Sequence, residues 1–176
     1  RGLSADELWP TLHTVKPSYI RVEADQGTYD LHIAVRFDVE RRILSGELEV
    51  GDLSEAWDDA YERLLGIRPR DVAEGVLQDI HWSMGGFGYF PTYTLGNLIA
   101  AQLFDAAQEA VGNFDERFAR GEFGDLLAWL RENVHDHGAS LPVSELVRVA
   151  TGKSLSTDAF LRNRKESARR VYGVDV

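Results

Sequence analysis

Tyr29-Asp30-Leu31-His32-Ile33-Ala34-Val35-Arg36-Phe37-Asp38-Val39-Glu40-Arg41-Arg42-Ile43-Leu44 is the stretch whose reading decides the fold. Leu31, Ile33, Val35, Phe37 and Val39 alternate as they would in a half-buried strand. Leu31, Val35, Val39 and Ile43 also form the i, i+4 stripe of a helix. Strands rarely exceed about 10 residues, and this run holds roughly 16 before Ser45-Gly46. Gly46 suits a helix C-terminus. Length and the closing glycine favour helix.

On the N-terminal side, Ser4 and Glu7 have the spacing of a capping box, with Leu8, Trp9, Leu12 and Val15 after them at helical intervals. Pro10 removes one hydrogen bond from this helix, and Lys16-Pro17 ends it. Ile20 to Asp25 reads as a short extended segment or loop.

On the C-terminal side, a helix opens at Asp52 or Ser54, carries Leu53, Trp57, Tyr61, Leu64 and Leu65, and stops at Gly66. Asp71 is expected to cap a further helix bearing Gln78, Asp79 and His81. A glycine-rich turn comes next, Ser83-Met84-Gly85-Gly86-Phe87-Gly88. Pro91 starts a long helix that Gly112 closes. Four shorter helices complete the chain, over 113–120, 123–134, 144–151 and from Ser156 or Thr157 to Val171. The last is rich in arginine, read as a solvated face on an acidic protein. The expected class is mainly α, with at most a short extended element near Ile20, in one unit spanning 1–176.

The 176 residues carry a formal charge of −10 and 44% apolar side chains. That balance argues against a nucleic-acid partner and is ordinary for a cytoplasmic protein. No run approaches the roughly 20 apolar residues of a membrane helix, and Arg1-Gly2-Leu3-Ser4 has no signal-peptide core. The absence of cysteine excludes disulfides, thiolate metal sites and cysteine nucleophiles.

The histidines His13, His32, His81, His135 and His137 form no H-E-x-x-H helix, and His135-Asp136-His137 reads as a polar loop. Gly85-Gly86-Phe87-Gly88 lacks the Lys-Ser/Thr of a phosphate loop, and Ser83 lies in no G-x-S-x-G elbow. What remains is 75–96. On a helix, Gln78 and His81 would share a face, with Asp79 free to accept from the imidazole or to cap backbone. A structural polar cluster is an equal alternative. Tyr89 and Tyr93 lie four apart across a helix start, where a hydroxyl can donate to a developing oxyanion. An aromatic core pair is the plainer reading. Arg21, between Ile20 and Val22, is either a buried ion pair or an anchor for a carboxylate.

Ile20-Arg21-Val22-Glu23-Ala24-Asp25 and Gly75-Val76-Leu77-Gln78-Asp79-Ile80-His81-Trp82 resemble the I-R-x-x-A-D and G-x-x-Q-D-x-H-W signatures of the thermostable (Taq-type) metallocarboxypeptidases. Thr28 to Ile33 and Phe87 to Tyr93 are similar as well. The resemblance implies a helical, neurolysin-like zincin fold. It implies a homodimer that removes C-terminal residues from peptides, using zinc or cobalt. It also reads 29–44 as helix. The family's H-E-x-x-H segment and its completing glutamate lie before I-R-x-x-A-D, yet only 19 residues precede Ile20 here. The chain is therefore expected to be the C-terminal part of such an enzyme. It would bind no metal and have no activity alone, and would partner the N-terminal part.

The resemblance also implies roles for single residues. Tyr93 is the main oxyanion donor, His81 lies beside it, and Tyr89 is a second candidate. Asp79 orients His81, Gln78 belongs to the substrate wall, and Arg21 contacts the substrate's terminal carboxylate. A noncatalytic helical module for peptide binding or dimerisation is the competing reading.

Overall fold

The computed structural model describes residues 2–175, and every regular element among them is helical. In order these are α1 (Ala5–Leu12), α2 (Tyr29–Leu44), α3 (Leu53–Leu65), α4 (Pro91–Val111), α5 (Asp115–Ala119), α6 (Gly124–Asn133), α7 (Val143–Thr151) and α8 (Asp158–Tyr172). The chain divides into two compact units. One comprises the segment up to Leu95 and the segment from Arg164 onward; the other is Gly96–Asn163.

Local chemistry explains the helix ends. Ser4 and Glu7 form the full capping box of α1, each side chain bonding the other's backbone N–H. The carbonyl of Pro10 is taken by the Thr14 hydroxyl and that of Trp9 by His13, so the proline falls where α1 is already ending. Gly66 closes α3 in the left-handed region, at φ +69°, which a side chain would resist. The Ser156 hydroxyl accepts from the Asp158 N–H at the start of α8.

The first unit's core lies between α2 and α3. Val35 and Val39 pack on Ala56, Trp57, Ala60, Tyr61 and Leu65, with Ile43, Leu53 and Trp82 at the margin. The alternation in α2 thus has a helical cause. Its inward arc is broad, taking in His32, Ile33, Val35, Arg36, Val39 and Glu40. Leu31 and Phe37 continue the alternation but are exposed. The second unit gathers Ala107, Phe114 and Trp129 with Leu103, Leu126 and Leu130.

One local expectation needs correcting. Residues 71–81 form no helix. Asp71 does cap, accepting from the Ala73 and Glu74 N–H groups, but the chain beyond it runs through a series of turns that ends in a 3₁₀ turn at Trp82–Met84. The segment near Ile20, expected to be a short extended stretch or loop, has Ile20 and Ala24 extended with another 3₁₀ turn, Arg21–Glu23, between them. Arg164 of α8 is partly buried, and the exposed arginines are not idle: Arg162 pairs with Asp105, and Arg170 pairs with Asp6 and lies over Trp9.

Helix and strand readings of α2 differ in one measurable way. A strand would put Phe37 and Val39 on one face, whereas the helix leaves Phe37 45% exposed and Val39 fully buried. Val39→Ala should lower the free energy of urea unfolding by about 2 kcal/mol. Phe37→Ala should lower it by less than about 1 kcal/mol, although it deletes more atoms.

Candidate active site

Three buried polar residues run along α2 at intervals of four: His32, Arg36 and Glu40. They form a ridge beside the apolar one of Val35, Val39 and Ile43. Arg36 is fully buried. Its Nε donates to Asp79 at 2.6 Å, Nη2 to the Gln78 Oε1 at 2.7 Å, and Nη1 to the His32 carbonyl at 2.8 Å. The guanidinium also lies 4.7 Å from the Trp57 ring and 5.4 Å from Phe90. One side chain therefore ties the apolar core to the polar stretch 75–82.

Arg21 reaches the same carboxylate from the other side. Its Nη2 donates to Asp79 Oδ1 at 2.8 Å and its Nη1 to the Tyr29 hydroxyl at 3.1 Å. It lies 5.0 Å from the Tyr93 ring centroid and is itself buried. Of the two sequence readings of Arg21, the structure has the ion pair. Burial alone would push the Asp79 carboxyl up; hydrogen bonds and charge from the two arginines outweigh that and hold it below the usual range.

Gln78 is engaged within the chain on both sides of its amide. Oε1 accepts from the Arg21 N–H and from Arg36. Nε2 donates to the carbonyls of Tyr19 and Glu74. Because 75–81 is not helical, Gln78 and His81 do not share a helix face, contrary to what their spacing suggests. Gln78 and Asp79 turn toward α2, while His81 packs on the aromatic residues after the turn.

His81 Nε2 lies 3.1 Å from the Tyr93 hydroxyl. Its ring sits 4.4 Å from Phe90 and 5.5 Å from Tyr89, and Tyr89 meets Tyr93 edge-on at 5.5 Å. His81, Tyr89 and Tyr93 are therefore together, as the sequence reading requires. Asp79 does not orient His81 by hydrogen bonding, because Oδ1 and Nδ1 are 3.7 Å apart. The carboxylate is committed to arginine, and ring packing sets the imidazole. Phe90 is buried, His81 and Tyr93 are partly exposed, and Tyr89 is 50% exposed.

The glycine turn makes this possible. Gly85 and Gly88 both take φ +76°. Gly86 donates to the His81 carbonyl, and a Cβ there would come within 3.0 Å of that oxygen. The chain thus folds back tightly from His81 to the start of α4. Ile80 and Met84 are exposed on this stretch.

Sequence reasoning missed His32, Arg36, Glu40, Tyr61 and Phe90. The available signal was the spacing of His32, Arg36 and Glu40, which puts three polar groups on one line of a helix. Among the described residues, no three His, Asp or Glu side chains gather where a metal ion could sit.

Acid should unfold the protein in two stages. Burial first, then Arg36 and Arg21, push His32 from 6.5 down to about 4, so it is neutral in the fold. Between these values the unfolded chain binds more protons, so stability is full above about pH 6.5 and falls by about 3 kcal/mol on reaching pH 4. The lowered Asp79 contributes stability that is present above 3.8 and lost as pH falls further. Urea midpoints measured from pH 7 to 3 should show both stages, and His32→Gln should abolish the upper one. A profile flat from pH 6.5 to 4 would count against the buried neutral imidazole.

Known proteins share both the sequence and the fold. The family described as carboxypeptidase Taq (M32) metallopeptidase matches residues 1–168. Thermostable carboxypeptidase 1 of Pyrococcus furiosus is 45% identical over 161 residues, which cover 92% of this chain and 32% of that protein. Its namesake from Thermus thermophilus is 45% identical over 171 residues, covering 97% and 34%. The crystal structure of the M32 carboxypeptidase of Deinococcus radiodurans R1 superposes with a TM-score of 0.94 at 41% identity, over 98% of this chain and 35% of that one. The chain spans about a third of the length of these relatives and corresponds to their C-terminal part.

Proposed function

Because the chain belongs to the carboxypeptidase Taq (M32) family of metallopeptidases, we propose that it forms the substrate wall of a metal-dependent carboxypeptidase. In this reading, residues 1–176 are the C-terminal part of a helical catalytic domain. The enzyme hydrolyses the last peptide bond of peptides with a free C-terminus. The metal, zinc or cobalt, is held by the preceding part of the enzyme, where it supplies electrophilic activation. The intact enzyme is a cytoplasmic homodimer. The chain's acidic charge agrees with that setting, and no helix among the described residues is long and apolar enough to cross a membrane.

The observation that supports the site assignment is the 3.1 Å contact between His81 Nε2 and the Tyr93 hydroxyl on a partly exposed face. In this reading the ring proton is on Nδ1, so Nε2 accepts from the Tyr93 O–H at rest. A substrate carbonyl that gains negative charge is a stronger acceptor than a neutral imidazole. Rotation of the hydroxyl then transfers the hydrogen bond without moving a heavy atom. Tyr93 sits in the first turn of α4, where the helix dipole also favours negative charge. Tyr89 is the second donor. Arg21, packed on the Tyr93 ring and bound to Asp79, holds the phenol in place rather than contacting substrate.

In the intact, metal-loaded enzyme, Tyr93→Phe should lower kcat by about 10²–10³ with little change in KM. The assay is release of the terminal amino acid from an N-blocked dipeptide. A raised KM with kcat preserved would overturn the assignment. The 176-residue chain alone is expected to take up no stoichiometric zinc in equilibrium dialysis and to release no amino acid; tight zinc binding would contradict that.

A further inference from the structure

We infer that Glu40 is a positioning residue for the His81–Tyr93 pair, acting by clamping both ends of the glycine turn between them. The inference rests on the proposed carboxypeptidase function. Glu40 is 4% exposed, and among the described residues no cation lies within ion-pair distance of it. Its Oε2 accepts from the Trp82 indole N–H at 2.7 Å, and its Oε1 accepts from the Gly88 backbone N–H. Trp82 comes directly after His81, and Gly88 comes directly before Tyr89.

A buried carboxylate without a counterion is costly unless its oxygens are hydrogen-bonded. Here the cost is met by two donors from the two ends of one turn. This arrangement selects an acid. Each oxygen takes a separate N–H, and a carboxylate presents two acceptor oxygens where an amide presents one. Glutamine, nearly the same in shape, would turn an N–H against one of those donors. An apolar side chain would leave both unsatisfied.

The turn needs such a clamp. Gly85 and Gly88 give it backbone freedom that no side chain restrains. The clamp fixes Trp82, which meets Phe90 edge-on at 5.9 Å, and Phe90 is the ring against which His81 packs. Glu40 therefore sets where His81 stands relative to Tyr93 while touching neither residue's polar atoms.

The test compares Glu40→Gln, Tyr93→Phe and the double variant in the intact, metal-loaded enzyme, reading kcat and KM on an N-blocked dipeptide. Glu40→Gln should lower kcat by about tenfold, with KM within about twofold of the parent value. If Glu40 acts through the pair, the double variant should be no slower than Tyr93→Phe alone. Trp82→Phe, which removes one of the two donors, gives a second way into the same cycle should Glu40→Gln not fold. It should likewise add nothing to Tyr93→Phe. Effects that multiply would overturn the positioning role and leave the proposed function standing. A Tyr93→Phe enzyme with unchanged kcat would overturn both.

Discussion

Asp79 lies between two buried guanidinium groups that come from parts of the chain 58 and 43 residues away in sequence. Removing Asp79 would leave two buried guanidinium groups without their shared partner, which is far more costly than the intact arrangement is favourable. The cluster is therefore better understood as a specifier of geometry than as a source of net stability. It admits one placement of the segment after Gly75, the one that offers a carboxylate and an amide carbonyl to Arg36 at once. Gln78 completes it by accepting from the Arg21 backbone and from Arg36.

Around this cluster the protein separates support from exposure. The groups that hold the site, Arg36, His32 and Glu40, are buried on one helix. The groups that can meet another molecule, His81, Tyr89 and Tyr93, are at least partly open and are fixed through ring contacts. That division suits electrostatic work on a reacting carbonyl, because the donor need not reorganise when charge develops. It also separates Asp79 from His81. A carboxylate already shared by two arginines has little left to offer an imidazole 3.7 Å away.

Much of this was legible in the residues. The capping box, the glycine stop at Gly66, the proline start of α4 and the helical reading of 29–44 all depend on short-range chemistry, which sequence carries directly. The grouping of His81 with Tyr93 was legible in the glycine turn that separates them, while their roles came only through the resemblance. The turns of 71–81 were not, because Asp71 offers the same cap to a helix as to a turn. What decides between them is Arg36, far off in sequence, which draws Gln78 and Asp79 inward together. For the same reason Arg21 was ambiguous. Its neighbours along the chain, Ile20 and Val22, do not say which carboxylate it meets.

Glu40 and Arg36 stand one helical turn apart and each grips a different end of 78–88. The segment is thus fastened along α2 at two points rather than hinged at one. Lifting the glycine turn away would strand a carboxylate and expose two backbone or indole donors, while unwinding α2 would take from Asp79 and Gln78 their bonds to Arg36. Neither can open far without the other. The turn, for all its glycines, is tied to the helix beneath it, so its hydrogen-bonded amide protons should exchange on the helix's timescale and not on a loop's.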